Sequence, residues 1–499
     1  MVAGTVNDRG RDGGACEHGY HPPAVKRTLE RELKLDVEPG FILPDLGGRP
    51  IEPRSFTSTY YDTPARRLLG CGITLRRRVE NRAGVWQLKL PSEDGRFELE
   101  QPGSPTRVPS FLLDLLPALL RGGATLEPVA KLRTQRAGYA VTRGTETVEV
   151  ALDSVSVLDG TRVAGRFAEL EAASVTGDGP ALTAIGKELR RAGAKSWDGT
   201  PKLAPILAAD GAPVAAAGHD TPLARVRALL ARQYRELLAN DPGVRLGADP
   251  EALHQARVGT RRARALLREA QALIDPAWAE RLRAELKWLG GLLGPVRDLD
   301  VLLDHLDADS AVLENADARA FRRIRKRLAT QRDEARAALL EGMDSGRHFE
   351  LLDLLEGAAD APGSGQVVAL DAIAARVFDR LRKTARKLPK RPSDDELHQV
   401  RIATKRARYA AELAEPVLKK PGARFIECAK VLQDVIGEHQ DACVAEERIR
   451  PLAQRGGGAT GVAAGRLIER QRRRKQAARR AYRDAWRRLE QAGRKAFRS

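Results

Sequence analysis

The spacing of apolar residues changes once along this chain, and the change divides it. From Val25 to about Val175, apolar and polar residues alternate in short runs at Arg54–Tyr61, Ile73–Val79, Val85–Leu90, Arg96–Glu100 and Thr147–Val157. A period of two is what a strand with one covered face produces. Asn81-Arg82-Ala83-Gly84 and Glu93-Asp94-Gly95 separate the runs as hairpin turns. The pattern predicts an antiparallel sheet or barrel, interrupted by helical insertions at about Pro109–Leu120 and Pro180–Ala192. The Ala-, Gly- and Pro-rich stretch Pro205–Gly218 reads as a linker. Thr221-Pro222 then supplies a helix cap and a first-turn proline, and Leu223, Val226, Leu230, Tyr234 and Leu237 recur every three to four positions. Almost everything beyond is helical.

Composition sharpens this division. A length of 499 residues exceeds what one core usually supports, in keeping with two domains. Net charge is +18, which points to anionic partners, but the excess is local: residues 451–499 hold 15 basic residues against three acidic. Residues 1–24 are Gly-rich and charged without an apolar period, and read as a disordered leader. No apolar run reaches the ~18–20 residues of a membrane span, and the N-terminus lacks a signal-peptide core; a soluble cytoplasmic protein is expected. Cys16, Cys71, Cys428 and Cys443 show neither metal-binding nor disulfide-framework spacing.

The strand region carries unusual charge. Glu30, Glu32 and Lys34 alternate with Leu29, Arg31, Leu33 and Leu35, and the same alternation recurs at Arg76 and Arg78, at Gln87 and Lys89, at Arg96, Glu98 and Glu100, and at Glu169 and Glu171. Two arrangements accommodate it. Pointing outward, these faces form a solvated sheet laced with cross-strand ion pairs. Pointing inward in a closed sheet, they hold too much charge for a packed core and require an ionic ligand. Carboxylates suit Mg²⁺ or Mn²⁺, and Arg and Lys suit phosphate oxygens, so a metal-loaded polyphosphate satisfies both sets.

Seven motifs occur in one order: Glu30-x-Glu32-x-Lys34, Tyr60-Tyr61-Asp62-Thr63, Leu75-Arg76-x-Arg78, Gln87-Leu-Lys89, Arg133-Thr-Gln-Arg136-x-x-Tyr139, Ala151-Leu-Asp153 and Glu169-Leu-Glu171. Over residues 25–207 the chain thereby resembles CYTH domains, the triphosphate tunnel metalloenzymes. The resemblance implies an eight-stranded antiparallel β tunnel that binds a triphosphate and hydrolyses it with a divalent metal. It implies Glu30, Glu32, Asp153, Glu169 and Glu171 as metal-holding residues, supported by Glu98 or Glu100, with Glu30, Glu32 and Glu171 as candidates for activating water. Lys34, Arg76, Arg78, Lys89, Arg133, Arg136 and Lys202 would grip phosphates. Ala173 stands where the family often has a further acid.

The helical half contains a repeat. His254-Gln-Ala-Arg257-Val-Gly-Thr260-Arg261-Arg262-Ala-Arg264 matches His398-Gln-Val-Arg401-Ile-Ala-Thr404-Lys405-Arg406-Ala-Arg408 at an offset of 144. Repeats at about 219–345 and 365–495 predict two related bundles. At ~100° per residue, His254, Arg257, Arg261 and Arg264 form one stripe, and His398, Arg401, Lys405 and Arg408 form its copy. Either the stripes are solvated faces paired with acids such as Asp298 and Asp441, or an anion relieves their repulsion. Residues 219–495 resemble CHAD domains, after a linker at 208–218. This second resemblance implies an all-α duplicated helical domain that binds inorganic polyphosphate through these eight residues, with Arg262 and Arg406 on a second face. The whole chain is then an α+β multidomain protein acting on inorganic triphosphate or polyphosphate. A non-catalytic polyphosphate scaffold, tethered to polyphosphate granules, and an adenylate cyclase of the CYTH type are the alternatives. The basic C-terminal helix, about 465–496, extends the phosphate track or contacts nucleic acid nonspecifically.

Overall fold

Eleven strands of the N-terminal half hydrogen-bond into one antiparallel sheet in a computed structural model that describes residues 25–38, 40–92, 95–177, 179–196, 221–310, 315–456 and 458–497. They are β1 (Lys26–Glu30), β2 (Glu32–Asp36), β3 (Arg49–Pro50), β4 (Arg54–Asp62), β5 (Thr74–Glu80), β6 (Ala83–Ser92), β7 (Gly95–Pro102), β8 (Glu127–Arg143), β9 (Glu146–Asp159), β10 (Arg162–Thr176) and β11 (Lys195–Ser196). The order is β1-β7-β6-β5-β4-β8-β9-β10-β2-β11, with β3 on β8. β1 and β2 are separated by Arg31 alone, so one interrupted strand supplies partners to both β7 and β10. Ser174 N–H donates to the Arg31 carbonyl at 2.9 Å and carries the β10 ladder up to the break. The sheet therefore closes on itself. The resemblance to CYTH domains implies eight strands; the count is eleven because the first is split and β3 and β11 add two short pairs.

Closure decides which way the alternating residues point. Leu35, Val141, Val148, Val150, Leu170 and Ala172 face outward and are buried under Ala181, Ile185 and Leu189 of α1 (Pro180–Arg191). The alternate positions face a charged interior. This inverts the usual barrel, in which apolar side chains fill the inside. Trp86 is buried, its indole N–H donating to the Ser104 carbonyl at 2.9 Å. Asn81 and Arg82 both adopt positive φ, the conformation of a tight two-residue hairpin between β5 and β6. The insertion predicted at Pro109–Leu120 is two short helices, Ser110–Leu113 and Pro117–Leu120.

The second half is helical: α2 (Pro222–Leu246), α3 (Pro250–Glu269), α4 (Pro276–Ser310), α5 (Asn315–Met343), α6 (Gly346–Glu356), α7 (Leu370–Arg386), α8 (Asp394–Leu413), α9 (Glu415–Gly456) and α10 (Gly458–Ala496). Apart from α6, the order repeats: α2 to α5 correspond to α7 to α10. α3 and α8 are both 20 residues long, with their histidines at the same place. Asp249 caps α3 by accepting from Glu251 N–H, and Ser393 caps α8 in a reciprocal box with Glu396. Thr260 and Thr404 each donate to the carbonyl four residues back, at 2.8 Å in both copies. Leu299, Leu302, Leu306, Phe321 and Ile324 pack with Ile449, Ala464 and Leu467 in a core shared by α4, α5, α9 and α10. Among the described residues no helix is long and apolar enough to cross a membrane. The leader at 1–24, the linker at 208–218 and Lys202 lie outside the described residues.

Candidate functional site

The closed sheet encloses a cavity of about 580 Å³. Among the described residues nine cationic and seven acidic side chains line it, so the lining has an excess of positive charge. Two salt-bridged layers order this interior. Near β10, Lys34 Nζ lies 2.8 Å from Glu171 Oε1 and 3.6 Å from Glu32 Oε1. Arg136 donates to both Asp153 oxygens, at 2.8 and 2.7 Å, and to Glu171 Oε2 at 2.7 Å. Strand register produces this contact, since Arg136 on β8 stands opposite Asp153 on β9, which stands opposite Glu169 on β10. Toward β5 and β6, Arg76 donates to Gln87 Oε1 at 2.7 Å and to Tyr60 Oη at 3.0 Å, and Gln87 donates in turn to Glu100. Arg78 reaches Glu80 at 2.7 Å and stacks over Phe56, 3.8 Å from the ring centroid. Lys89 Nζ is 3.6 Å from Glu98 Oε1.

Burial works against every one of these charges, and the partners decide the outcome. Burial disfavours the Lys34 ammonium, but Glu171, Glu32 and Glu169 outweigh it and hold its pKa above the usual lysine range. Burial likewise disfavours the Glu171 carboxylate, yet Lys34 and Arg136 hold its pKa well below the ordinary value. Arg78 moves the other way: burial and the neighbouring Arg76 lower its pKa, because Glu80 compensates only partly. An arginine pressed by another cation is a ready receiver for an anion.

A second cavity, about 290 Å³, opens in the helical half where α3 meets α8. Its charged lining is Arg261, Arg264, Arg268, Arg283, Arg401, Lys405 and Arg406, joined by His398, with no acid among the lining residues. Arg268 and Arg406 share the buried Glu269, at 3.2 and 2.7 Å. Arg261 is held by a neutral partner, the Tyr409 hydroxyl, at 3.0 Å. His398 Nδ1 lies 2.7 Å from Gln440 Oε1.

Comparison with known proteins agrees with both halves. Residues 28–200 match the CYTH domain family and residues 228–450 match the CHAD domain family. The uncharacterized protein Rv2226 of Mycobacterium tuberculosis is 31% identical over 476 residues, spanning 86% of this chain and 89% of its own length. The chain belongs to the CYTH–CHAD family. Among solved structures it is similar to PptA from Streptomyces chartreusis (27% identity, 53% of this chain and 99% of that one, TM-score 0.44). It is also similar to the CHAD domain from the plant Ricinus communis (27% identity, 53% and 91%, TM-score 0.45).

Within the CYTH domain, the cavity brings together Glu32, Lys34, Arg76, Arg78, Lys89, Arg136, Asp153, Glu169 and Glu171, as well as Glu98 and Glu100. Glu30 ends β1, and its side chain lies outside the described residues. Arg133 is a correction. It is exposed and absent from the cavity, because on a regular strand a residue three places from Arg136 faces the opposite side. Of the Tyr60-Tyr61-Asp62-Thr63 motif, Tyr60 lines the cavity, whereas Asp62 accepts from the N–H groups of Thr63, Leu68 and Leu69 and fixes a turn. Arg54, on the cavity rim and bidentate to Glu80, was not singled out from the sequence. Its register opposite Arg136 is the signal that places it there.

In the CHAD domain, five of the eight stripe residues line the cleft: Arg261, Arg264, His398, Arg401 and Lys405. The other three are corrected. His254 is partly buried away from the lining, Arg257 pairs with Asp298 at 3.0 Å, and Arg408 is buried beside Glu412 at 3.3 Å. Arg406, assigned to a second face, lines the cleft instead, and Arg268 and Arg283 complete it. Only the crossing of two helices brings them in. Part of the charge of α10 is paired in place: Arg474 meets Glu438 at 2.7 Å, Lys475 meets Glu446 at 2.7 Å, and Arg479 meets Asp394. Asp394, His439 and Cys443 cluster within 4.8 Å, a grouping that spacing did not disclose. Arg479 and Lys475 already hold Asp394, and burial with Asp394 pushes the Cys443 thiol up to about 12, which disfavours the thiolate that a metal would need.

Proposed function

We propose that this protein is a divalent-metal-dependent phosphohydrolase that cleaves inorganic triphosphate or polyphosphate inside the CYTH tunnel, while its CHAD domain binds inorganic polyphosphate. The observation that carries the reading is the closed, charge-lined cavity in which Arg76, Arg78, Lys89 and Arg136 face carboxylates of β2 and β10. Only a ligand rich in anionic oxygen uses the cations.

The carboxylates fit a hard divalent cation, because Glu32, Glu169 and Glu171 offer oxygen donors from neighbouring strands to one space. Glu32 and Glu169 would hold Mg²⁺ or Mn²⁺, with Glu171 beside them. Asp153 serves instead to orient Arg136, since both of its oxygens are engaged. The bound metal would supply charge neutralisation at the phosphate oxygens and a more acidic water. The cationic side chains bind the phosphate chain and stabilise charge as the phosphoanhydride lengthens. Gln87 and Tyr60 keep the Arg76 fork in one orientation. Glu171, held ionised by Lys34 and Arg136, is a weak proton acceptor at neutral pH and acts by position and charge.

The test is phosphate release from tripolyphosphate with Mg²⁺ or Mn²⁺. Release is expected to vanish with EDTA and to fall at least about a hundredfold in Glu32→Gln with its circular dichroism unchanged. Binding without turnover on tripolyphosphate, long-chain polyphosphate and ATP would identify a scaffold, and cyclic AMP formed from ATP would identify a cyclase.

A further inference from the structure

The cleft between α3 and α8 holds more positive charge than its surroundings neutralise. Arg257 and Arg268 have carboxylate partners on Asp298 and Glu269, and Arg406 shares the latter. Arg283 pairs with Glu280. Among the described residues Arg261, Arg264, Arg401 and Lys405 have no acid within ion-pair distance, and the Arg401 Nε is buried with no acceptor. Three arginines without an acid partner and one lysine thus converge on one cavity whose lining includes no carboxylate.

Lys405 sits in the middle of this group. Arg257 and Arg261 face it from α3, and Arg401 precedes it by one turn on α8, where His398 and Arg406 also reach the cleft. From α4 come Arg283 on the cleft and Asp298, which is occupied by Arg257. From α9, Asp441 is the acid whose field favours a charge on Lys405, without forming an ion pair to it. Burial first, then Arg401, Arg261 and Arg257, push the Lys405 ammonium down to about 6. At pH 7.5 the amine is therefore mostly neutral in the empty cleft. The repeat supplies an internal contrast, for the equivalent residue of the first copy is an arginine, Arg261.

We propose that this cleft takes up a phosphate anion together with one proton, and that the proton resides on Lys405 Nζ. The inference rests on the CHAD domain's being a polyphosphate binder, and it adds the coupling. The neutral amine accepts a proton from solvent as phosphate oxygens enter; no covalent bond forms or breaks in the ligand. An anion beside Lys405 offsets the repulsion from Arg401 and Arg261 and restores the charged form, and by reciprocity the proton tightens the anion. Affinity consequently falls as pH rises from 6.5 to 8, with a limit of about tenfold per pH unit for a single proton. Well below pH 6 the amine is already charged and the dependence disappears.

Calorimetric titration of long-chain polyphosphate into the full chain, in EDTA at pH 7.5 and in two buffers of different ionisation enthalpy, measures protons taken up. Wild type is expected to take up close to one proton more per occupied cleft than Lys405→Arg, whose guanidinium is charged throughout. His398→Gln is expected to keep that difference, which separates Lys405 from the imidazole beside it. Equal uptake by wild type and Lys405→Arg, with binding intact, overturns the proton assignment. Absence of polyphosphate binding by wild type overturns the reading beneath it. Acylation of the native protein, followed by mass spectrometry, needs no variant. The rate at Lys405 is expected to rise through a midpoint well below the ordinary lysine range, and polyphosphate is expected to return it to that range; a midpoint within that range in the absence of polyphosphate overturns the proposal.

Discussion

The Glu171 carboxylate is wedged between Lys34 and Arg136, each 2.7–2.8 Å away, in a part of the tunnel that water reaches poorly. Its pKa is lower in the folded chain than its ordinary 4.5, so the contribution it makes to stability is complete above that value. That contribution is lost as pH falls through the depressed folded value. Glu171→Gln should cost about 3 kcal/mol at pH 7, because it leaves two cations facing each other. It should also flatten the acid limb of stability; melting temperature measured from pH 7 to pH 3 checks both, and an unchanged acid limb would count against the pairing. Such roles were only half legible in the sequence. The motifs identified Glu171 and Arg136, but spacing along one strand says nothing of which acid meets which base. Arg133 shows the same limit, since its chemistry matched the site while its parity turned it away. Arg54 shows the converse: an unremarkable arginine reaches the rim through register with a strand over 70 residues later.

At the scale of elements, the tunnel depends on strands lying close enough for such pairs to form. Gly138 on β8 faces Ala151 on β9, two places from the Arg136–Asp153 contact, and a Cβ there would run into the Val150 carbonyl oxygen. Gly138→Ala should therefore push β8 from β9 and destabilise the CYTH domain by about 1–3 kcal/mol. It should lower triphosphate turnover as well, although residue 138 touches no ligand. Urea unfolding read together with phosphate release tests this, and a variant as stable and active as wild type would show that β8 has room to spare. Element positions followed well from periodicity: the expected runs beginning at Arg54 and Thr147 became Arg54–Asp62 and Glu146–Asp159. The break at Arg31 was not legible, because the alternation of Glu30, Glu32 and Lys34 runs straight across it. It is produced by one strand changing partners from β7 to β10.

For the whole molecule, the two halves carry separate cation-lined cavities, and the functions proposed for them should separate. Arg401→Met in the CHAD domain is expected to weaken long-chain polyphosphate binding about tenfold, while tripolyphosphate hydrolysis keeps its kcat. Glu32→Gln in the CYTH domain is expected to do the reverse. Binding and turnover assays on both variants check the separation; parallel loss of both activities in either variant would refute it. The strong positive charge was visible at once, but not that Glu438, Glu446 and Asp394 each pair with part of it in α10. The residues by themselves determined that strands precede helices, that the helical half is duplicated, and that acids and bases alternate along the strands. Those are consequences of local periodicity and of copying. Tertiary structure alone decided that the charged faces turn inward and that two basic stripes meet over one cleft. Closing a sheet and crossing two helices bring together residues far apart in the chain, and that convergence, rather than any local spacing, concentrates the positive charge of each cavity.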